Sequence, residues 1–378
     1  ANLRIERGSY YPSLALSGGW TKQQTSGNTS SIPQAKEHYF NAALSTSWEA
    51  DIFGSIRNRV KAQKETFMAS QEEYNATMVS LCAQVASGYI NLRQLQQELD
   101  VVKKNCASQE EVLKITEVRY NTGLVSKLDV LQAKSVYYST KASIPTIEAG
   151  IIQYINSLAV LLGVYPADLR PSLEKIGPLP DYMELVSVGI PANLLRRRPD
   201  VRGAERTVNA QAALLGASKS DWLPQFFLKG SVGYASKDMK NFAEKKSLTY
   251  EIAPSFTWTL FNGTKLVNAT KLARAQLDEA INQYNQTVLT AVQEVDNAMS
   301  TYQNSIKQIV ALREVLNQGQ QTLKLSLELY KQGLTPFQNV LDAQRSLLSY
   351  ENSLVEAKGN SLLCLIQMYQ ALGGGWQE

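Results

Sequence analysis

The feature that most constrains this chain is an internal duplication. Matching residues recur at a constant offset of 210 positions: Trp48 with Trp258, Tyr120-x-x-Gly123-Leu124 with Tyr330-x-x-Gly333-Leu334, and Leu162-Gly163 with Leu372-Gly373. This period is far too long for a solenoid of short repeats. The chain is therefore predicted to consist of repeat one over residues 1–163, a linker over 164–198, and repeat two over 199–378.

Each repeat opens with two segments in which apolar and polar residues alternate. These segments are predicted to be strands over residues 12–23, 38–50, 224–236 and 249–261. Alternation with a period of two gives each strand one apolar and one polar face. The lengths suit tilted strands of a membrane barrel, which need roughly 9–11 residues. A four-stranded soluble sheet with one face on a core would show the same alternation, so the pattern alone leaves both open.

Aromatic residues cluster where the predicted strands meet the predicted helices. They are Tyr10, Tyr11, Trp48, Trp222 and Trp258. Membrane barrels carry such aromatic girdles at the level of the lipid headgroups. We therefore expect these five residues to lie at a membrane interface.

Long stretches with apolar residues every seven positions follow each pair of strands. They contain no Pro and predict coiled-coil helices over 55–120 and 263–331. A helix of this length would span about 100 Å at 1.5 Å per residue. Each stretch ends at a Gly, after which the pattern predicts a tip turn and a return helix. The predicted tip turns are residues 121–126 and 331–336, the return helices are 126–162 and 336–372, and a further helix over 199–221 supplies the length that the first return helix lacks.

Composition excludes several classes of function. The net charge of +4 is too small to indicate nucleic-acid binding, and the single His and three Cys show no metal-ligand spacing. No nucleophile–base pair or phosphate-binding loop is present, so the sequence predicts neither an enzyme nor a cofactor. The sequence contains no run of 18 consecutive apolar residues, so it predicts no membrane-spanning helix. Because "LRIERGSYYP" near the start corresponds to "LGASKSDWLP", the tail of the helix over 199–221, we expect a further segment upstream of Ala1.

Four strands cannot close a barrel, and an open edge in lipid leaves backbone groups without hydrogen bonds. Membrane strands would therefore require oligomers, with 8 strands from two copies or 12 from three. Outside the heptad rows the helices are rich in Ala, Ser, Gln and Asn, which fits close packing around a wet lumen. A soluble rod of antiparallel coiled coil is the other architecture consistent with the heptads.

Several motifs together resemble one family. The stretches are "IPANLLRRRPDVRGAERTVNAQAALLGASKSDWLP" from residue 190, "ALGGGW" from Ala371, the strand-to-helix junctions "WEADIFG" and "WTLFNG", and the tip segments "RYNTGLVSKLDVLQA" and "LYKQGLTPFQNVLDAQ". They resemble the TolC family of outer-membrane efflux proteins, and in particular its multidrug and metal efflux branch. The resemblance covers essentially the whole chain.

The resemblance implies a homotrimer in the bacterial outer membrane. Its fold would be α+β, with a 12-stranded β-barrel of four strands per protomer, continuous with a long α-helical coiled-coil barrel in the periplasm. The implied function is a passive exit duct for drugs or other small toxic compounds. A periplasmic adaptor protein and a proton-driven inner-membrane transporter would be its partners. Many members of this branch are lipoproteins, and an acylated Cys would lie upstream of Ala1. A duct for type I protein secretion is the alternative on the same fold.

The resemblance also implies two sites near the tips. Asp342 matches an acidic ring that narrows the pore, and the neighbouring family aspartate falls on Asn339. Asp129 and Tyr330 match a pair that latches the closed state, and a basic partner used in some members falls on Thr335. From the residues alone, Asp342 could instead be an exposed helix carboxylate, and Asp129 could cap the start of its own helix.

The tip turns would contact the adaptor's helical hairpins. The candidate docking residues are Asn121, Thr122, Gly123, Leu124, Val125, Ser126, Lys331, Gln332, Gly333, Leu334, Thr335 and Pro336. The two Gly are required for positive φ whatever binds there, so Leu124 and Leu334 are the better indicators of docking. Arg196, Arg197 and Arg198 form the only dense charge run, and we expect a solvated linker that pairs with acidic helix surfaces.

Overall fold

The computed structural model describes residues 1–24, 26, 36–180 and 196–374. The chain divides into two compact units, one formed by Ala1–Glu73 with Arg202–Thr287 and the other by Tyr74–Val201 with Val288–Glu378. The first unit contains the strands and the second contains the tip turns. The elements in chain order are α1 (Asn2–Gly8), β1 (Ser13–Gln24), β2 (Lys36–Ala50), α2 (Ser55–Asn121), α3 (Lys127–Leu162), α4 (Pro166–Leu173), α5 (Pro199–Ser220), β3 (Gln225–Ser236), β4 (Leu248–Thr257), α6 (Lys265–Lys331) and α7 (Phe337–Ala371).

The four strands form one antiparallel sheet in the order β1-β2-β3-β4. The central pairing of β2 with β3 joins the two repeats, for example Trp48 opposite Leu228. Within the described part of the chain, β1 pairs only with β2 and β4 only with β3. The outer edges of β1 and β4 therefore have no partner strand among the described residues.

The fourth strand ends earlier than the alternation predicts, at Thr257 rather than at residue 261. Thr257 lies opposite Gln225, the first residue of β3. Beyond that pair β3 offers no backbone partner, so the ladder stops. Trp258 instead donates its indole N–H to the carbonyl of Trp222 at 3.1 Å. Alternation extends further than pairing because apolar residues continue into the junction with the next helix.

The first unit holds α5 antiparallel to α2 through a series of ion pairs. Arg202 contacts Glu72 at 3.0 Å, and Arg206, one turn further along α5, contacts Glu65 at 3.2 Å. At the opposite end of α5 the carboxylate of Asp221 accepts a hydrogen bond from the Ser55 hydroxyl at 3.0 Å. These contacts set the register of the two helices at both ends.

The second unit is built on paired helices whose heptad residues meet. Leu92 and Leu99 of α2 pack against Ile151 and Ile155 of α3, and Leu92 and Ile155 are completely buried. Fully burying each such side chain stabilises the fold by about 1.5–3 kcal/mol. The helices α6 and α7 pair in the same way, through Val295, Ala298, Met368 and Ala371. Not all heptad residues of this unit are covered within one chain, since Tyr74 is 65% exposed.

Helix α3 is, by length and composition, long and apolar enough to cross a membrane, with a mean hydropathy of 1.3 over its best window. No other described helix meets that test. One face of α3 is the packed seam with α2, formed by Ile147, Ile151, Ile155 and Leu158. Only 22% of that window is buried within the chain, so helix pairing accounts for part of its apolar character.

The linker contains structure that the sequence did not predict. Helix α4 begins with Pro166 at its first turn, a position that Pro favours. Its end is fixed to α2, because the buried amide of Gln96 donates to the Leu173 carbonyl at 2.7 Å. The Arg run also differs from expectation at one residue. Arg196 and Arg197 are exposed, but Arg198 is only 7% exposed and pairs with Asp200 and Glu294.

Candidate functional site

The outward face of the sheet is apolar and uncovered. Leu16, Leu44, Val232 and Tyr250 lie side by side across the strands. They are 80%, 39%, 48% and 78% exposed. A sheet in water would bury such a row on a core. No described element of the chain covers this face, which therefore has the chemistry of a lipid-facing surface.

The opposite face carries mostly small side chains, many of them hydroxyls, with a few charged ones. One row across the sheet is Ser13, Ser47, Lys229 and Ala253, and the next contains Ser45, Ser231 and Glu251. Several hydroxyls also bond to neighbouring strands; for example, Ser13 Oγ donates to the Ser47 carbonyl at 3.1 Å. Such a face suits water, and it presents few charges to a solute.

The predicted interface aromatics form a matched pair of contacts. Trp48 donates its indole N–H to the Tyr10 carbonyl at 3.0 Å, and Trp258 does the same to Trp222 at 3.1 Å. The indole of Trp222 donates to the Thr270 hydroxyl at 2.9 Å. Tyr11 is 74% exposed, and the three Trp rings are between 38% and 51% exposed. A ring that is exposed while its polar atom is satisfied suits the boundary between lipid and water.

The two tip turns have the same backbone geometry. Gly123 and Gly333 have φ of +75° and +74°. The amide of Leu124 donates to the Arg119 carbonyl at 2.9 Å, and that of Leu334 to Leu329 at 3.0 Å. This is the helix-ending turn that needs a left-handed residue. It leaves the side chains of Leu124 and Leu334 66% and 70% exposed.

The other tip residues belong to the ends of the helices. Asn121 and Lys331 are the last residues of α2 and α6. Ser126 caps α3 through a capping box with Asp129, and Pro336 precedes α7. Val125 packs against the core near the tips. Thr122 turns its hydroxyl back to its own helix, and Gln332 is exposed.

A residue that the sequence did not single out joins the two turns. Nη1 of Arg119 donates to the Lys331 carbonyl at 2.7 Å, and its guanidinium lies 4.8 Å from the centre of the Tyr330 ring. The corresponding residue of repeat two is Leu329. That difference between the two otherwise similar tip motifs is the signal that could have identified Arg119.

Of the predicted latch residues, Asp129 and Tyr330 lie near each other but share no hydrogen bond. The Asp129 carboxylate accepts from the Ser126 amide at 3.3 Å. Tyr330 is 3% exposed, and its hydroxyl makes no hydrogen bond of normal geometry with any described residue, although Thr116 lies near it. Burial raises the pKa of Tyr330, and the Asp129 carboxylate adds to the rise. Thr335 accepts a hydrogen bond from the amide of Asn339. The latch stays a prediction.

The predicted pore residues lie on one exposed side of α7. The Asp342 carboxylate accepts from Gln338 Nε2 at 2.9 Å. Asp342 and Asn339 both border a groove of about 820 Å³ between α6 and α7, which is also lined by Glu314. Three such carboxylates around a narrow pore would repel one another and attract cations. The position of Asp342 at the constriction stays a prediction.

The sequence matches the profile of one known family over nearly its whole length. The family is described as outer membrane efflux protein, and the match covers residues 1–164 and 190–374. The chain belongs to this family.

Other members of the outer membrane efflux protein family align with the whole chain. The antibiotic efflux pump outer membrane protein ArpC of Pseudomonas putida is 29% identical over 381 residues, covering 100% of this chain and 78% of ArpC. The solvent efflux pump outer membrane protein SrpC of the same species is 30% identical over 382 residues, covering 99% and 79%. The solved outer-membrane channel OprN superposes with a TM-score of 0.92 at 27% identity, covering 100% of this chain and 86% of OprN.

Membership in the outer membrane efflux protein family confirms the resemblance seen in the sequence. The protein is an efflux channel of the bacterial outer membrane and not an enzyme. Its four antiparallel strands and long helices are the fold of the OprN channel. The alternative of a soluble coiled-coil rod is wrong, because the strands form the sheet of a membrane channel.

Proposed function

We propose that three copies of the chain close a 12-stranded barrel around a continuous duct. The support is the unpaired outer edges of β1 and β4, which would leave backbone groups without partners in lipid. Pairing β4 of one copy with β1 of the next satisfies both edges. Two copies would give eight strands, a size at which side chains fill the interior. The small polar residues of the inward face, such as Ser45 and Ser231, suit a wider, open lumen.

The trimer is proposed to be the exit duct of a tripartite pump. A periplasmic adaptor protein would bind the tip turns, and a proton-driven inner-membrane transporter would supply the energy. The tips support this because Leu124 and Leu334 are exposed at equivalent places on turns that Arg119 links. Apolar side chains at the ends of paired helices offer a contact surface to another helical hairpin.

The proposed cargo is small toxic compounds such as antibiotics and organic solvents. The relative ArpC is named as an antibiotic efflux protein and SrpC as a solvent efflux protein. This chain is about equally similar to both, at 29% and 30% identity. The inward face of the sheet agrees, since it consists mostly of small and hydroxyl side chains and has few charges, among them Lys229 and Glu251. Such a face makes few specific demands on a solute. The duct would accept what its pump delivers.

A complementation experiment tests this function. The chain is expressed with an adaptor and transporter in a bacterium that lacks its own outer-membrane efflux ducts. We expect resistance to antibiotics and solvents to be restored. The double variant Leu124→Ser with Leu334→Ser should lose that resistance while still reaching the outer membrane. Leu128→Ser, which alters a residue 61% exposed just past the first turn, is the matched control and should retain it.

Two results would contradict the proposal. Unchanged drug susceptibility together with export of a protein substrate would assign the chain to type I secretion instead. Full resistance in the double variant would remove the tips from the docking surface.

A further inference from the structure

Arg198 uses all three nitrogens of its guanidinium in hydrogen bonds. Its Nε and Nη2 donate to the two carboxylate oxygens of Asp200 at 3.0 and 2.7 Å. Nη2 also donates to Glu294 of α6 at 2.6 Å. Nη1 donates to the carbonyl of Ala371, the last residue of α7, at 2.7 Å. One buried guanidinium thus ties the start of α5 to α6 and to the C-terminal end of α7.

The turn that follows α7 closes over the same side chain. Gly373 has a φ of +95°, and a Cβ at this position would lie 3.2 Å from the Arg198 Cα. Gly374 has a φ of +73° and approaches Val79 of α2 with similarly little space. Both Gly are therefore required by their backbone conformation and by close packing. The "RRRPD" and "ALGGG" motifs, far apart in sequence, meet here.

Electrostatics favour this arrangement. The amides of the turn after α7 bond to the three carbonyls that precede Ala371, and the Ala371 carbonyl accepts from Arg198 instead. The helix dipole makes this end negative, so a guanidinium is well placed there. Burial by itself would raise the pKa of Asp200, but the hydrogen bonds and charge of Arg198 outweigh it and hold that pKa below its usual value. The pair therefore stays ionised at neutral pH.

The duplicated half provides an internal comparison. Gly163 occupies the position of Gly373 and has a φ of +68° at the end of α3. A Cβ there would meet no atom of the described residues within 4 Å, leaving aside its chain neighbours. The following residues Val164 and Tyr165 are 43% and 79% exposed. The two return helices thus end in the same left-handed Gly conformation, but of the two it is α7 whose end is held by Arg198.

We propose that Arg198 is a positioning residue that makes the C-terminal end of α7 a fixed pivot. Its opposite end carries Asn339 and Asp342, so the inference rests on the proposed function, in which these residues form the pore constriction. A rigid helix of 35 residues that is fixed at one end confines the positions its other end can reach. With the clamp lost, α7 can shift and the constriction can open without partner proteins.

The test measures the resting conductance of single purified channels in planar lipid bilayers, with potassium chloride as the probe. Arg198→Met removes the charge and the hydrogen bonds. Gly373→Ala disturbs the packing on Arg198, while Gly163→Ala imposes the same left-handed strain at an unclamped helix end. We expect the first two variants to raise the resting conductance about threefold, because the open population increases, and Gly163→Ala to leave it unchanged.

Conductance is read per assembled channel, so a merely structural loss of folded protein would not raise it. Unchanged conductance in Arg198→Met and Gly373→Ala would overturn the pivot, and so would an equal rise in Gly163→Ala. If Arg198→Met fails to assemble, the pivot is tested by comparing the conductance of Gly373→Ala with that of Gly163→Ala. A wild-type protein that forms no channel would contradict the proposed function itself. That result is distinct from a channel whose conductance is the same with and without the Arg198 contacts, which would contradict only the pivot.

Discussion

Arg119 and Lys331 join the two tip turns of one chain, through a hydrogen bond of 2.7 Å from the guanidinium to the backbone carbonyl. The carbonyl belongs to the last residue of α6, where helix carbonyls lack partners. Because Arg119 also stacks on Tyr330, it holds the ends of α2 and α6 together. The turns that carry the exposed Leu124 and Leu334 are thereby linked.

We predict that Arg119→Leu, which installs the residue type of repeat two, weakens adaptor binding about fivefold. A hydrogen bond from a charged group contributes about 1.5–3 kcal/mol when well ordered, and part of that would appear in docking because the tips lose their fixed spacing. The measurement is titration of immobilised channel with purified adaptor. Arg119→Lys keeps the charge and should lose less. Equal binding by the wild type and Arg119→Leu would show that the link is unimportant for docking.

We predict opposite effects from two changes on the exposed side of α7. Asp342→Asn should weaken block of the channel by a trivalent cation about tenfold, since the substitution would remove one carboxylate per chain from the proposed constriction. Asn339→Asp adds a carboxylate one turn away and should strengthen the block. The check is cation titration in single-channel recordings. Block that is insensitive to both substitutions would place these residues outside the conduction path.

The alternation and heptads of the sequence predicted the strands and long helices because local periodicity determines them. Arg198 shows the limit of that reasoning. In sequence it is one of three successive Arg residues, and only the arrival of Glu294 and the end of α7 makes it buried and its neighbours exposed. Helix α4 was missed for a related reason, since its end is fixed by Gln96 from a distant helix.

The candidate site was predicted less completely. The Gly turns follow from sequence because positive φ favours Gly. The environment of Tyr330 could not be predicted from the sequence, because its burial depends on Phe337 and Arg119, which approach from other helices. Asp129 was expected either to latch the pore or to cap α3, and the capping box with Ser126 is present.

We predict that acid weakens the Arg198 clamp only at low pH. The folded pKa of Asp200 is lowered, so its contribution to stability is complete above the unfolded value of about 3.9 and is lost as pH falls through the folded pKa. Arg198 is the charged group paired with Asp200, and the same guanidinium also pairs with Glu294 of α6. Thermal unfolding of the wild type and Asp200→Asn in detergent checks this. The difference in stability between the two proteins should be constant between about pH 5 and 8, because Asp200 stays ionised throughout that range. The difference should shrink at lower pH, where Asp200 becomes protonated. A difference that changes around pH 6 would contradict the assignment.

We predict that two adjacent residues of β3 respond oppositely to Lys. Val232→Lys places a charge on the outward face and should reduce insertion into the outer membrane, because Lys near the bilayer centre costs about 2–4 kcal/mol. Ser231→Lys lies on the polar face and should be tolerated. Quantifying each variant in purified outer membranes tests this. Equal insertion of both would show that the outward face does not contact lipid.

The account depends on the completion of the open sheet by neighbouring copies. Native mass spectrometry of the channel extracted in mild detergent counts the chains directly. The predicted result is a single species with three times the mass measured for the denatured chain. A species of one or two chains, or a monomer that needs no detergent, would contradict it.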